Sequence, residues 1–366
     1  MTRTRTTRLR VQLKAILRCA LAAVATTLLQ GALSACGGAI LQPQPERAEH
    51  APEVQWQSVW GETPALLFVV RPQAIMRDGV YGSLFKSVLR VASAKSEMTG
   101  VTALEAAGGC EEIVVGLGQG NAAFVDDAAI VLRGVPANLD PEKMADQVGR
   151  PLFRLVRDSV LDAVPDQGGF QELERVDGAA TQHGPSSASL FVLPDRTWVV
   201  ATGLARERAR RAFAAPANRV GRAGRVGPTI PTIDSSALAV VRVDRAMLSR
   251  PRLERSPAFG PLIRRLSSAS LALLSGKGGL VATLTYQSEA DAQRAELHAK
   301  RLVSELVRDD AASANQAETS ETRPLPWDWL KSVEIVRESN LVRMRVAVPP
   351  RLLEDLPNAR GDDLAF

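Results

Sequence analysis

The chain has 366 residues, 45 Lys and Arg against 40 Asp and Glu, a formal charge of +5, a pI near 9.4 and 45% apolar residues. That is long and apolar enough for one or two packed domains and excludes a disordered or collagen-like chain. Three cysteines, at 19, 36 and 110, exclude a disulfide-rich scaffold.

The first 35 residues divide like an export signal. Arg3, Arg5, Arg8, Arg10, Lys14 and Arg18 stand without an acidic neighbour, and an apolar stretch follows from Cys19 to Leu33. At about 15 residues it falls short of the roughly 20 needed to span a bilayer. It closes on Leu33-Ser34-Ala35-Cys36, followed by Gly37-Gly38. This resembles the lipobox of bacterial lipoproteins. The resemblance implies cleavage between Ala35 and Cys36, a diacylglyceryl group on the Cys36 thiol, and often a third acyl chain on the new amino terminus. One chain binds marginally and two or three bind firmly. Gly at position 37, rather than the Asp that often retains such proteins in the inner membrane, implies the outer membrane, facing the periplasm. The alternative is a plain secretory signal cleaved at an Ala-x-Ala-like site in Ala32-Leu33-Ser34-Ala35.

Processing removes six basic residues, taking the formal charge from +5 to −1, so the positive charge of the whole chain does not argue for nucleic acid. Cys19 leaves with the leader and Cys36 carries lipid. Cys110 is left alone, as a buried thiol or as one half of a bridge between chains.

Residues 36–55, with Pro43, Pro45 and Pro52, read as a tether. A first unit is expected over 56–213. In it Leu66–Val70, Ile113–Val115 and Ala128–Leu132 read as strands, and Leu84 to Ala92 as a helix. Asp140-Pro141 opens another helix, which resumes through Leu152, Leu155, Val156 and Val160. Glu172–Val176, Ala179–His183, Ser189–Leu193 and Thr197–Ala201 form a meander. Residues 214–234, with three Gly and three Pro, read as a linker.

A second unit is expected over 235–356, with a frayed tail at 357–366. Its opening echoes the first: Leu238-Ala239-Val240-Val241-Arg242 repeats Leu67-Phe68-Val69-Val70-Arg71, and Phe259-Gly260-Pro261 repeats Tyr81-Gly82-Ser83. This suggests a diverged duplication. Gly279–Leu284 is a strand. Ser288 caps a helix with Asp291 three residues on and a stripe at Ala292, Ala295, Ala299, Leu302, Val303 and Leu306. Residues 310–323 read as a flexible insertion, Trp327 and Trp329 as anchors of a short turn. Ser332–Arg337 and Leu341–Val348 read as a hairpin. The fold class is α+β: antiparallel sheets with helices packed on one face, in two related units.

No motif for catalysis emerges. Gly116-Leu117-Gly118-Gln119-Gly120 has its third Gly one residue too early for a dinucleotide loop. Ser275-Gly276-Lys277-Gly278 lacks the rest of a phosphate loop. His50, His183 and His298 have no partners at metal spacing, so neither metal nor cofactor is expected. Glu111/Glu112 and Asp126/Asp127 are neighbours in sequence, which on a strand point to opposite faces.

One compositional feature stands out. Fourteen arginines lie between 204 and 265 against Glu207, Asp234, Asp244 and Glu254. Arg206, Arg208, Arg210, Arg211, Arg222, Arg225, Arg252 and Arg255 are therefore candidates for a surface that meets acidic lipid headgroups or an acidic envelope partner. Against this stands the plainer reading of solvated helix faces and linker. The functional expectation is an outer-membrane-anchored envelope lipoprotein that binds or scaffolds, and no enzyme. A hydrolase whose site is assembled from distant residues, and an assembly or chaperone factor with an apolar groove, are the alternatives.

Overall fold

A computed structural model of the chain describes residues 56–83, 85–86, 108–118, 127–137, 139–143, 153–158, 170–175, 188–214, 234, 236–248, 254–256, 259–276, 279–314 and 327–347. Its described residues fall into two compact units, one of 56–77 and 85–234, the other of 78–83 and 236–347. The expected leader, tether, linker and tail lie outside the described residues, apart from Ala214 and Asp234. So does the strand expected at 179–183, and of the helix expected at 84–92 only residues 85–86 are described. Architecture is α+β, with every strand pairing within the units antiparallel.

The first unit carries β1 (Leu66–Val70), α1 (Pro72–Arg77), β2 (Glu112–Leu117), β3 (Ala128–Arg133), β4 (Phe153–Asp158), β5 (Gln171–Arg175), β6 (Ala188–Val192), β7 (Trp198–Thr202) and α2 (Gly203–Phe213). The strands are ordered β1-β2-β3-β7-β6-β5-β4. Both faces of this sheet are buried. Leu67, Val69, Val114, Val131, Val199 and Phe191 lie on one, while Phe68, Val70, Ile113, Val115, Leu132 and Leu190 lie on the other. Two-sided burial is why β1, β2 and β3 read as unbroken apolar runs rather than as alternation.

Helix α2 covers the first of those faces. Ala205 and Ala209 are fully buried at i and i+4, and Phe213 completes the stripe one turn later. Alanines let the helix axis come close to the sheet, and the larger Phe213 ring fills the far end. There it meets Phe170 and Phe191 edge-on, with centroids 6.2 and 5.6 Å away. Gly203 takes φ +49° to turn β7 directly into the helix, a conformation that suits glycine. Trp60 packs against Gly116, where a Cβ would stand 2.5 Å from the indole, and its Nε1–H donates to the Gly116 carbonyl at 3.3 Å.

The second unit carries β8 (Ala237–Asp244), α3 (Arg245–Leu248), α4 (Gly260–Ile263), β9 (Leu266–Leu274), β10 (Gly279–Tyr286), α5 (Glu289–Ala314), β11 (Glu334–Glu338) and β12 (Leu341–Val346). Its sheet runs β8-β9-β10-β12-β11. Ser288 caps α5 as the sequence predicts: its Oγ accepts the Asp291 N–H at 3.2 Å and donates to the Asp291 carboxylate at 2.6 Å. The stripe Ala292, Ala295, Ala299 and Leu306 is buried, and its first turns share one core with Leu266, Tyr286 and Val342, flanked by Leu284, Ile335 and Met344. Residues 78–83 belong to this unit rather than to the first, where the sequence places them. Asp78 fixes them: its carboxylate accepts the Val80, Tyr81 and Gly276 N–H groups at 2.8, 3.0 and 3.0 Å.

Four expectations change. Residues 153–158 are strand β4 and not helix, with Phe153 buried, Leu155 and Val156 exposed and a bulge between Leu155 and Arg157. The i, i+3 spacing of Leu152, Leu155 and Val156 imitated a helical stripe, because a bulge breaks the strand's alternation. Helix α5 runs on to Ala314, into the expected insertion at 310–323, since Ala311, Ala312 and Ala314 are strong helix formers. Strand β9 and helix α2, to which the sequence reading assigns no element, are both present. Of the helix expected from Asp140, the described part is a 3-10 turn over Pro141–Lys143, with Asp140 Oδ1 accepting the Glu142 N–H at 3.0 Å.

Candidate functional site: two fates for the arginines

Successive residues of an α-helix step by about 100° around its axis. In α2 the buried direction is set by Ala205, Ala209 and Phe213. Arg206 and Arg210 then fall on one flank, Arg208 on the other, and Leu204, Glu207 and Arg211 point outward. Strand β5 supplies the matching carboxylates on the first flank, because Glu172 and Glu174, two residues apart, share a face of the sheet.

Glu172 is the centre of that flank, with its side chain 3% exposed. Its carboxylate accepts the Arg210 Nε–H at 2.8 and 3.1 Å, lies 2.7 Å from Arg210 Nη2 and 3.6 Å from Arg206 Nη2, and accepts the Ser189 hydroxyl at 2.9 Å. Arg206 also pairs with Glu174, and Arg210 reaches Glu207 at 3.1 Å. Its hydrogen bond to Glu172 raises the already high Arg210 pKa, against the opposing effect of burial. On the opposite flank Arg208 Nη1 binds both Asp127 oxygens, at 2.8 and 3.1 Å. Several charge-assisted donors hold the buried Glu172 carboxylate in place. The arrangement is a two-sided clamp that fastens α2 to its sheet.

The eight arginines singled out from the sequence are thus not equivalent. Arg206, Arg208 and Arg210 are committed to Glu172, Glu174, Glu207 and Asp127. Arg211 is exposed and donates from Nε to the Glu207 carbonyl at 3.2 Å. Arg255 is exposed in the second unit. Arg222, Arg225 and Arg252 lie outside the described residues, as do Ala35 and Cys36. The clamp was missed because its acidic half sits more than 30 residues upstream of its basic half. The legible signals were Glu172 and Glu174 at strand spacing and Arg206 and Arg210 at helical spacing.

Ser189 and Glu172 are within hydrogen-bond distance, as a hydrolytic pair would be, yet Ser189 is fully buried and its hydroxyl is already spent on the carboxylate. A nucleophile needs access and a free base. Cys110 is 1% exposed, and burial, reinforced by the charge of Glu111, pushes its thiol up to about 12. It is held as an unreactive small hydrophobe. His298 is half-buried on α5. His50 and His183 lie outside the described residues. Elsewhere in the first unit Glu112 accepts from Arg133 at 2.9 Å and Arg71 at 3.4 Å, and Arg71 reaches the Asp234 carbonyl at 3.0 Å.

No protein-family model matches the chain, and no curated protein matches it. Among solved structures it is similar to two crystal forms of TP0453. Form I is 8% identical, covers 84% of this chain and 98% of that one, and gives a TM-score of 0.38. Form III is 9% identical, covers 85% and 100%, and gives 0.36. A likeness that loose carries no argument about function.

Proposed function

We propose that this protein is an envelope lipoprotein, anchored through acyl chains on Cys36 and holding its two α+β units at the periplasmic face of the outer membrane, where they bind or scaffold rather than catalyse. The observation that carries the reading is Leu33-Ser34-Ala35-Cys36 at the end of a basic, then apolar, leader. Small residues before the cysteine and a short apolar stretch suit export and lipid attachment, and two or three acyl chains suffice for lasting attachment. Among the described residues of the first unit, the buried Ser189 hydroxyl and Glu172 are turned on one another within the clamp rather than toward solvent. Labelling cells with a palmitate analogue and determining the intact mass of the amino-terminal peptide tests the reading. Label and added acyl mass on Cys36, both lost in Cys36→Ser, are expected. An unmodified amino terminus elsewhere rejects the anchor.

The two units are further proposed to be diverged copies. Each opens with a strand running straight into a short helix, β1 into α1 and β8 into α3. In each sheet the first three strands are consecutive neighbours and the unit's last strand lies beside the third: β1-β2-β3-β7 and β8-β9-β10-β12. An experimental structure whose four-strand sets fail to superpose in sequence order removes this proposal.

A further inference from the structure

We infer that the end of the second unit formed by α3 and α4 is a docking surface for an anionic bilayer. This deepens the envelope reading, and rests on it for the presence of a membrane.

Topology gathers the pieces. Asp244, the last residue of β8, pairs with Ser268 near the start of β9, so Arg245 on one side and Arg264-Arg265 on the other leave the sheet at the same end. Helix α3 packs against β8 and β9, and α4 against α5. Residues 255–256 adjoin them, because Ser256 accepts the Gly260 N–H on its carbonyl and the Phe259 N–H on its hydroxyl, at 2.7 and 3.3 Å.

At this end cations stand outermost. Arg245, Arg255 and Arg264 are exposed and, among the described residues, form no ion pair. Arg265 is 66% exposed, with its Nε 3.9 Å from Asp291. Of the carboxylates at this end, Glu289 is exposed, Asp244 and Glu254 are half-buried and Asp291 is buried. Asp244 accepts the Ala246 N–H at 3.0 Å, and Glu289 the Ser339 hydroxyl at 2.7 Å. Asp291 is buried between Ser288 and Arg294, which leaves Glu254 beside Arg255. The contrast with α2 is direct: there each guanidinium of the clamp has its carboxylate, and here Arg245, Arg255 and Arg264 have none among the described residues.

Between the arginines stand Met247 on α3 and Phe259 and Ile263 around α4, apolar and partly exposed, while Leu248 and Leu262 pack inward against the core of the unit. Guanidiniums able to reach lipid phosphates, ringed around side chains able to enter the headgroup layer, match an anionic bilayer better than a small anion. A small anion would use the charges and leave the apolar residues idle. An acidic protein would use the charges too, and is left to the experiment.

The test takes the protein purified from its own membranes, with whatever amino terminus it carries, on nanodiscs of zwitterionic lipid alone or with about a third anionic phospholipid. Amide hydrogen exchange is read over 245–248 and 259–265. Exchange there is expected to slow about fivefold on the anionic discs alone. Arg245→Glu with Arg264→Glu should abolish the slowing, while Arg301→Glu on α5 keeps it. The milder Arg245→Gln with Arg264→Gln replaces the reversal if its melting temperature falls. Equal exchange on both lipids overturns the inference, as does the same slowing with inorganic phosphate alone or only with a co-purified acidic protein. The intact mass at Cys36, taken on the same sample, reports the anchor separately.

Discussion

Replacing Glu172 by Gln asks how much of the α2 clamp is real stabilisation. The substitution keeps the shape and leaves a carbonyl for the Ser189 hydroxyl and one guanidinium N–H, but it removes the charge facing Arg206 and Arg210. A hydrogen bond to a charged group is worth about 1.5–3 kcal/mol, and deleting one partner of a buried pair costs about 3–5. Arg210 is 32% exposed and retains Glu207, and Arg206 retains Glu174, so both can be partly rehydrated or reused. A cost of about 2 kcal/mol to the first unit follows from those corrections. For a unit of this size that is a fall of roughly 4–8 °C in melting temperature, measured by calorimetry on the full chain with the Arg210→Gln single and double variants. Because Glu172 is buried, the fall should persist in about 0.5 M salt, where exposed pairs are screened. A change below about 0.5 kcal/mol, the range of ordinary surface substitutions, would refute the reasoning and return Arg206 and Arg210 to the pool of free surface charge.

Gly116→Ala places a methyl against the Trp60 indole, 2.5 Å from where its Cβ must sit, and should cost about 1–3 kcal/mol, read by calorimetry with Trp60 fluorescence as the local probe. Burial alone would raise the Asp78 pKa, but the N–H groups of Gly276, Tyr81 and Val80 outweigh it and hold the carboxyl below its ordinary range. That stabilisation is complete above the ordinary Asp value and lost as pH falls through the lower folded one. Asp78→Asn should therefore cost about 1 kcal/mol at neutral pH, with its acid melting curve converging on that of the unsubstituted protein. Cys110, protonated at neutral pH, should resist alkylation in the folded chain and react fully in denaturant; equal rates in both states would contradict its burial. Ser288→Ala removes the cap of α5 and should cost about 1 kcal/mol, with faster amide exchange at Asp291 as its local mark.

Local signals were sufficient where the chemistry is local. Ser288 with Asp291 and the Ala292, Ala295, Ala299 stripe determine α5, because a cap and a helical period both lie within a few residues. Apolar runs of strand length determine β1, β2 and β3, and an alternating pair around Ser339 determines the β11–β12 hairpin. The same local reading failed at β4, where a bulge imitates helical spacing, and at α2, whose RERARR stretch looked like solvated charge.

Sequence alone yielded the α+β class and the density of arginine between 204 and 265, and raised Cys36 as the candidate lipid site. Only the tertiary structure decided which of those arginines are consumed. Strand β5 brings Glu172 and Glu174 beneath Arg206 and Arg210, while the turns around α3 and α4 leave Arg245, Arg255 and Arg264 facing water. Whether a cation is internal glue or free surface depends on where a carboxylate far away in the chain comes to rest, and no window of neighbouring residues contains that information.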